Sequence, residues 1–176
     1  MKHLLFDIES TGLLRRGSTI HCIVVRHLFD EDAPALVFDT VKDNVDEGIE
    51  LLQKAEALAG HNIVSYDLQL LLELYPDFKV PDKIHDTLIL SRLYHPNMQE
   101  DDYMRKPYGM PKKLYGSHGL EAWGHRLGEH KGSFGKENDW STYSPEMLEY
   151  CLQDVNLNLC LYQRLYRRLP KADRLI

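Results

Sequence analysis

Along the first third of the chain, apolar residues come in short runs rich in β-branched side chains; further on they recur every three or four positions. Short runs of the first kind read as strands, and the three-and-four spacing reads as helix. "KHLLF" predicts a first strand, followed by a turn through Thr11-Gly12. "IHCIVVRHLF" is the longest β-branched run and predicts a second, and "ALVFDT" a third. "VDEGIELLQKAEAL" carries helical periodicity and is expected to end near Gly60, a helix-stop signal. "SYDLQLLLELY" and "DTLILSRLY" predict shorter helices with a small strand, "DKIH", between them, and "SHGLEAWGHRL" predicts another helix. Strands early and helices late predict a single α/β domain over residues 1–176, a mixed sheet flanked by helices. Two connections, residues 95–117 and 128–144, are rich in Pro, Gly and charge, and loops this long are usually functional or mobile.

The last helix, "SPEMLEYCLQDVNLNLCLYQRLYRRL", opens on Ser144-Pro145, an N-cap hydroxyl with proline at the first helical position. Leu148, Cys151, Leu152, Val155, Leu159, Tyr162 and Tyr166 form its core-facing stripe. Tyr150 and Asp154 lie four residues apart on one face, well off that stripe. Periodicity alone makes that face a solvated one.

Length permits one domain with a sizeable core. Nothing approaches the ~18 apolar residues of a membrane helix, and the start is too short in apolar residues for a signal peptide. Three cysteines without metal-finger spacing read as buried thiols of a reduced, cytoplasmic protein. The net charge of −6 argues against a passive nucleic-acid binder. Its distribution changes that picture. Between Arg105 and Lys136 stand seven Lys/Arg against two carboxylates, with Tyr103, Tyr108, Tyr115, Trp123, Phe134 and Trp140 among or beside them. Such a segment suits a groove that tracks a phosphate backbone and stacks bases, as well as it suits a solvated surface.

The candidate chemistry is acidic. In "LLFDIES", Asp7 and Glu9 are two apart on a predicted strand and project from one face, opposite Phe6 and Ile8. Asp67 stands near a helix start, where a carboxylate also suits the dipole, and Asp154 is the fourth. Two unit charges ~4 Å apart at an effective dielectric of ~20 repel by roughly 4 kcal/mol, so a converging set must take up protons or recruit cations. Oxygen ligands select hard ions such as Mg²⁺ or Mn²⁺, and a pair of them is the common device for phosphodiester cleavage. His118, His125 and His130 lack zinc-site spacing. Trp123 reads as core, and Asp86, heading "HDTLIL", as a cap.

"FDIESTGL", "HNIVSYD" and "YCLQDV" together resemble the three motifs of the DEDD exonuclease superfamily, in the subclass with tyrosine in the last motif. "DTLILSRLYHPN" and "GSHGLEAWGHRLGEHKG" resemble the 3′–5′ proofreading domain of T-seven-like phage family-A DNA polymerases. The resemblance runs from Leu4 to about Leu165. It implies a ribonuclease-H-like fold and stepwise 3′–5′ removal of nucleoside 5′-monophosphates from a single-stranded DNA end. It implies two divalent metal ions, Mg²⁺ or Mn²⁺, with Asp7, Glu9 and Asp154 at the tighter site and Asp67 at the other through water. Tyr150 would orient the attacking water. Ser10, Thr11, Leu13 and Asn62 match substrate-contacting positions, Leu13 being wedged against the terminal base. Asn62 stands five residues before Asp67, one more than in the bacterial enzymes, as in the phage relatives. Met1 is close enough to the first motif to read as a natural start, so a free-standing enzyme and an excised polymerase domain both fit. A separate DNA polymerase subunit is a partner consistent with this reading. An RNA-directed enzyme of the same superfamily and a non-catalytic accessory module are the alternatives.

Overall fold

The computed structural model describes residues 2–12, 17–30, 32–129 and 139–175. Five strands form one sheet in the order β3-β2-β1-β4-β5: β1 His3–Ser10, β2 Ile20–His27, β3 Leu36–Asp39, β4 Ala57–Gly60 and β5 Lys83–Asp86. The first three pair antiparallel, while β4 and β5 join β1 in parallel, so the sheet is mixed. β1 is central, and alternation along it sets the layers. Leu4, Phe6 and Ile8 pack on one side with helices α1 (Val45–Gln53) and α2 (Asp67–Leu74). Leu5 faces the other side, against Cys151, Val155, Leu159 and Tyr162 of the long helix α6 (Pro145–Tyr166).

Helices α3 (Thr87–Tyr94), α4 (Met98–Arg105) and α5 (Leu120–Leu127) complete the second layer. Met98, Leu120 and Trp123 pack on Leu157, Leu161 and Leu165, a second apolar stripe of α6. The helix is therefore greasy on two sides, and Trp123 is core, 2% exposed. Ser144 caps α6 by accepting from the Met147 N–H at 3.2 Å, with Pro145 in the first turn. The N-cap serine and first-turn proline thus act as their chemistry predicts.

Two expectations change. The helix expected to run towards Gly60 ends at Gln53, and Ala57–Gly60 is instead the buried inner strand β4. Four small or apolar residues, fully buried on both faces, fit a parallel strand but are too few to display a period. Gly60 is required there by contact: a Cβ would lie 2.9 Å from the Phe6 carbonyl oxygen and 2.2 Å from Ile63 Cγ2. The 95–117 connection is not one loop, since it contains α4 and a 3-10 turn at Lys112–Leu114.

Candidate active site

Asp7 and Glu9 leave β1 on the α6 side, as the two-residue spacing requires. One ligand atom from each, with the Sγ of Cys151 from α6, lies within 4.8 Å of the others. The thiol is the residue that sequence reasoning missed here, because Cys151 also fits the core stripe. Burial, then the neighbouring Cys22, Asp7 and Glu9, push it far above the usual thiol range. It therefore stays protonated, 3.6 Å from Asp7 Oδ2, as a hydrogen-bond donor to that carboxylate.

Asp154 sits one turn beyond Tyr150 on α6 and is 6% exposed, so this face of the helix is not a solvated one. Asp7 and Asp154 line one open cleft of about 720 Å³ together with His61, Asn62, Leu88, Arg92 and the 116–120 turn. Tyr150 is half-buried, with the Trp140 ring edge-on at 6.2 Å. The Trp140 carbonyl is in turn tied to His21 Nε2 of β2 at 3.1 Å. Hard carboxylate oxygens from two elements, beside a solvent-open cleft, are a donor set that fits Mg²⁺ or Mn²⁺ rather than a soft metal.

Asp67, the first residue of α2, does not join that cluster by its direct contacts. Its Oδ1 accepts the backbone N–H of Ile8 at 3.1 Å, in the stretch of β1 beyond the end of β4. Asp67 is 3% exposed, and burial raises its carboxyl to about 7 against the pull of backbone hydrogen bonds, with Asp86 adding repulsion.

The turn after β1 is held by side chains. Tyr66 hydroxyl donates to the Gly12 carbonyl and shares a 2.6 Å hydrogen bond with Ser10 Oγ. Thr11 Oγ1 accepts from the Thr19 N–H at 2.9 Å. Ser10 and Thr11 thus spend their hydroxyls on shaping the turn, and Leu13 lies outside the described residues. Tyr66 was not a sequence candidate; its place directly before Asp67, where a cap would stand although tyrosine caps poorly, is the signal that could have marked it.

Asn62 lines the cleft with a left-handed backbone, φ 64°, a conformation asparagine tolerates. Asp86 fixes it. One carboxylate oxygen accepts Asn62 N–H at 3.0 Å and the other Val64 N–H at 3.1 Å, while the same group caps α3 at Leu88. The cap expected of Asp86 is present and also gathers the loop between β4 and α2.

Of the basic segment, Arg105, Lys106, Lys112 and Lys113 are exposed, and Lys131 and Lys136 lie outside the described residues. Arg126 is different. It is buried against Asp102, with Nε–Oδ1 at 2.9 Å and Nη2–Oδ2 at 2.6 Å, and belongs to the scaffold.

No family model matches the chain. Among curated proteins it is 31% identical over 184 residues to the DNA-directed DNA polymerase of Enterobacteria phage T3. It is 32% identical over 188 residues to that of Escherichia phage T7. Either match takes in 92% of this chain and 26% of the polymerase, so the chain spans about a quarter of the length of these relatives. Among solved structures, Escherichia coli RNase D, an exoribonuclease involved in structured RNA processing, superposes with a TM-score of 0.61 at 16% identity. That match covers 93% of this chain and 38% of RNase D. Brucella melitensis NrnC with bound Mg²⁺ gives a TM-score of 0.56 at 22% identity, over 95% of this chain and 75% of that one. The mixed five-stranded sheet, the three acidic motifs and these relatives agree: the chain is a homologue of the T3 and T7 phage DNA polymerases, with the ribonuclease-H-like fold of the DEDD-superfamily 3′–5′ exonucleases.

Proposed function

We propose that this chain is a single 3′–5′ exonuclease domain, residues 1–176, which hydrolyses single-stranded DNA from its 3′ end and releases nucleoside 5′-monophosphates. The observation that carries this reading is that Asp7 of β1 clusters with Glu9 and also lines an open cleft with Asp154 of α6, in a homologue of phage DNA polymerases. Asp7, Glu9 and Asp154 would hold one divalent ion, Mg²⁺ or Mn²⁺, and Asp67 would serve a second through water. Once bound, the ions supply positive charge for the attacking and leaving oxygens and make the attacking water more acidic.

The chain's own residues do the rest. Tyr150 hydroxyl orients the attacking water by a hydrogen bond, its ring steadied by Trp140. Asn62 and the Ser10–Gly12 turn receive the terminal nucleotide. The Cys151 thiol steadies Asp7. Proofreading for a DNA polymerase is the role most consistent with the T3 and T7 relatives, and a polymerase the corresponding partner. No helix among the described residues is long and apolar enough to cross a membrane.

RNA is the second reading, favoured by the structural likeness to the exoribonuclease RNase D. The test is a 5′-labelled single strand, as DNA and as RNA, incubated with the protein and Mg²⁺ or Mn²⁺. A ladder shortening from the 3′ end of DNA and stopped by EDTA is expected. No shortening of either polymer with either ion would overturn the catalytic reading, and faster loss of RNA would transfer it to RNA.

A further inference from the structure

Besides Asp7 and Asp154, the cleft is lined by residues of different chemistry. Leu88 and Arg92, four residues apart on one face of α3, line it together with Gly116, Ser117, His118 and Gly119. Arg92 is exposed, and its guanidinium makes no hydrogen bond or ion pair among the described residues. Ser91 Oγ accepts the Trp123 Nε1–H at 2.9 Å, since indole nitrogen only donates. His118 Nδ1 lies 2.6 Å from the same hydroxyl, and when that hydroxyl donates to Nδ1 the ring proton stands on Nε2. Burial, with the charges of Arg126 and Arg92, pushes the His118 pKa down, so the ring is a neutral donor near pH 7.

The wall is braced from behind. Asp102 Oδ2 accepts the Gly116 N–H at 2.8 Å, and Arg126 Nη1 donates to the Ser117 carbonyl at 2.7 Å. The buried Asp102–Arg126 pair thereby fixes the turn that carries His118. A forked cation and a neutral imidazole, lining the same cleft as the two carboxylates, match an anion with several oxygens.

We propose that Arg92 and His118 Nε2–H form a phosphate subsite which grips one phosphodiester of the nucleic-acid strand upstream of the scissile bond. This rests on the exonuclease reading for its substrate. The two side chains are positioning groups that set how far the strand enters the cleft. Arg92 supplies the charge and His118 the directional hydrogen bond.

The test uses short 5′-labelled single strands of DNA carrying one neutral methylphosphonate linkage at successive positions upstream of the 3′-terminal bond. For the unaltered protein, one position is expected to raise KM roughly tenfold, the cost of one charge-assisted contact. Arg92→Ala raises KM by a similar factor and erases the penalty at that one linkage alone; Arg92→Lys recovers part of it. His118→Gln shows a weakened penalty at the same linkage. The slope of log KM against log salt falls by about 0.7 in Arg92→Ala, one phosphate contact on a single strand. An unchanged salt slope, or a linkage penalty that persists in full in Arg92→Ala, overturns the subsite. If the unaltered protein shortens no strand, the exonuclease reading fails, and the same strands and variants are read by fluorescence anisotropy. There, equal affinity of the unaltered protein and Arg92→Ala overturns the subsite, and weaker binding with a lower salt slope supports it.

Discussion

Asp67 Oδ1 accepts the backbone N–H of Ile8 at 3.1 Å, and Ile8 is the residue between Asp7 and Glu9. A carboxylate of the second motif therefore grips the strand that displays the first. With its pKa raised to about 7 by burial, the folded protein keeps a proton on Asp67 that the unfolded chain loses near 4. Between those pH values the folded state binds more protons, so this group lowers stability as pH rises and the loss is complete above about 7. In EDTA, urea midpoints measured from pH 4 to 8 should fall more steeply for the unaltered protein than for Asp67→Asn. Parallel curves would show that Asp67 is ionised throughout.

Asp154→Ala and Tyr150→Phe separate holding a metal from placing water. Loss of groups that merely support metal ligands costs about 10–100-fold, so loss of a ligand itself should exceed about 100-fold. Single-turnover cleavage should show that size of loss for Asp154→Ala and a smaller one for Tyr150→Phe. Equal, complete loss in both would mean that the tyrosine does more than orient water.

Tyr66 ties Ser10 and Gly12 into the turn that would receive the terminal nucleotide. Tyr66→Phe removes one hydroxyl and frees two partners. A cost of about 1 kcal/mol in stability is expected. Because the turn, and not the carboxylates, loses its support, KM should rise several-fold with a smaller change in kcat. A kcat collapse at constant KM would assign the hydroxyl to the chemistry instead.

Breaking the Asp102–Arg126 pair should cost far more than its distance from the carboxylates suggests. Removing one member of a buried ion pair strands the other, at about 3–5 kcal/mol. Arg126→Met and Asp102→Asn, followed by thermal melts, should each show a drop of this order, and the double variant less than the sum. Additive losses would mean that the two groups do not act as a pair.

Much of this was legible in the chain because the signals were local. The two-residue spacing of Asp7 and Glu9, the Ser144-Pro145 start of α6 and the β-branched run of β2 each act through the nearest few residues. Strand β4 was not, since "ALAG" has neither length nor alternation, and its identity comes from β1 and β5 on either side. The same holds for the site. Asp7 and Glu9 could be picked out by their two-residue spacing on an apolar strand, and Tyr150 and Asp154 by the resemblance of "YCLQDV" to the last exonuclease motif. Cys151 could not, because it sits where a core residue belongs and acquires its role only from Asp7 across the interface. Arg126 misled in the opposite sense: a basic residue in a basic segment, it is neutralised by Asp102, 24 positions away.

Helix α6 has one further consequence. Its 22 residues carry one apolar stripe into the sheet and another into α4 and α5, with Asp154 between the two. The helix cannot fray or tilt on one side without disturbing the other. Cleavage activity and tertiary structure should then disappear together in denaturant, as a single cooperative transition. A partly melted form that still cuts is not available to this architecture.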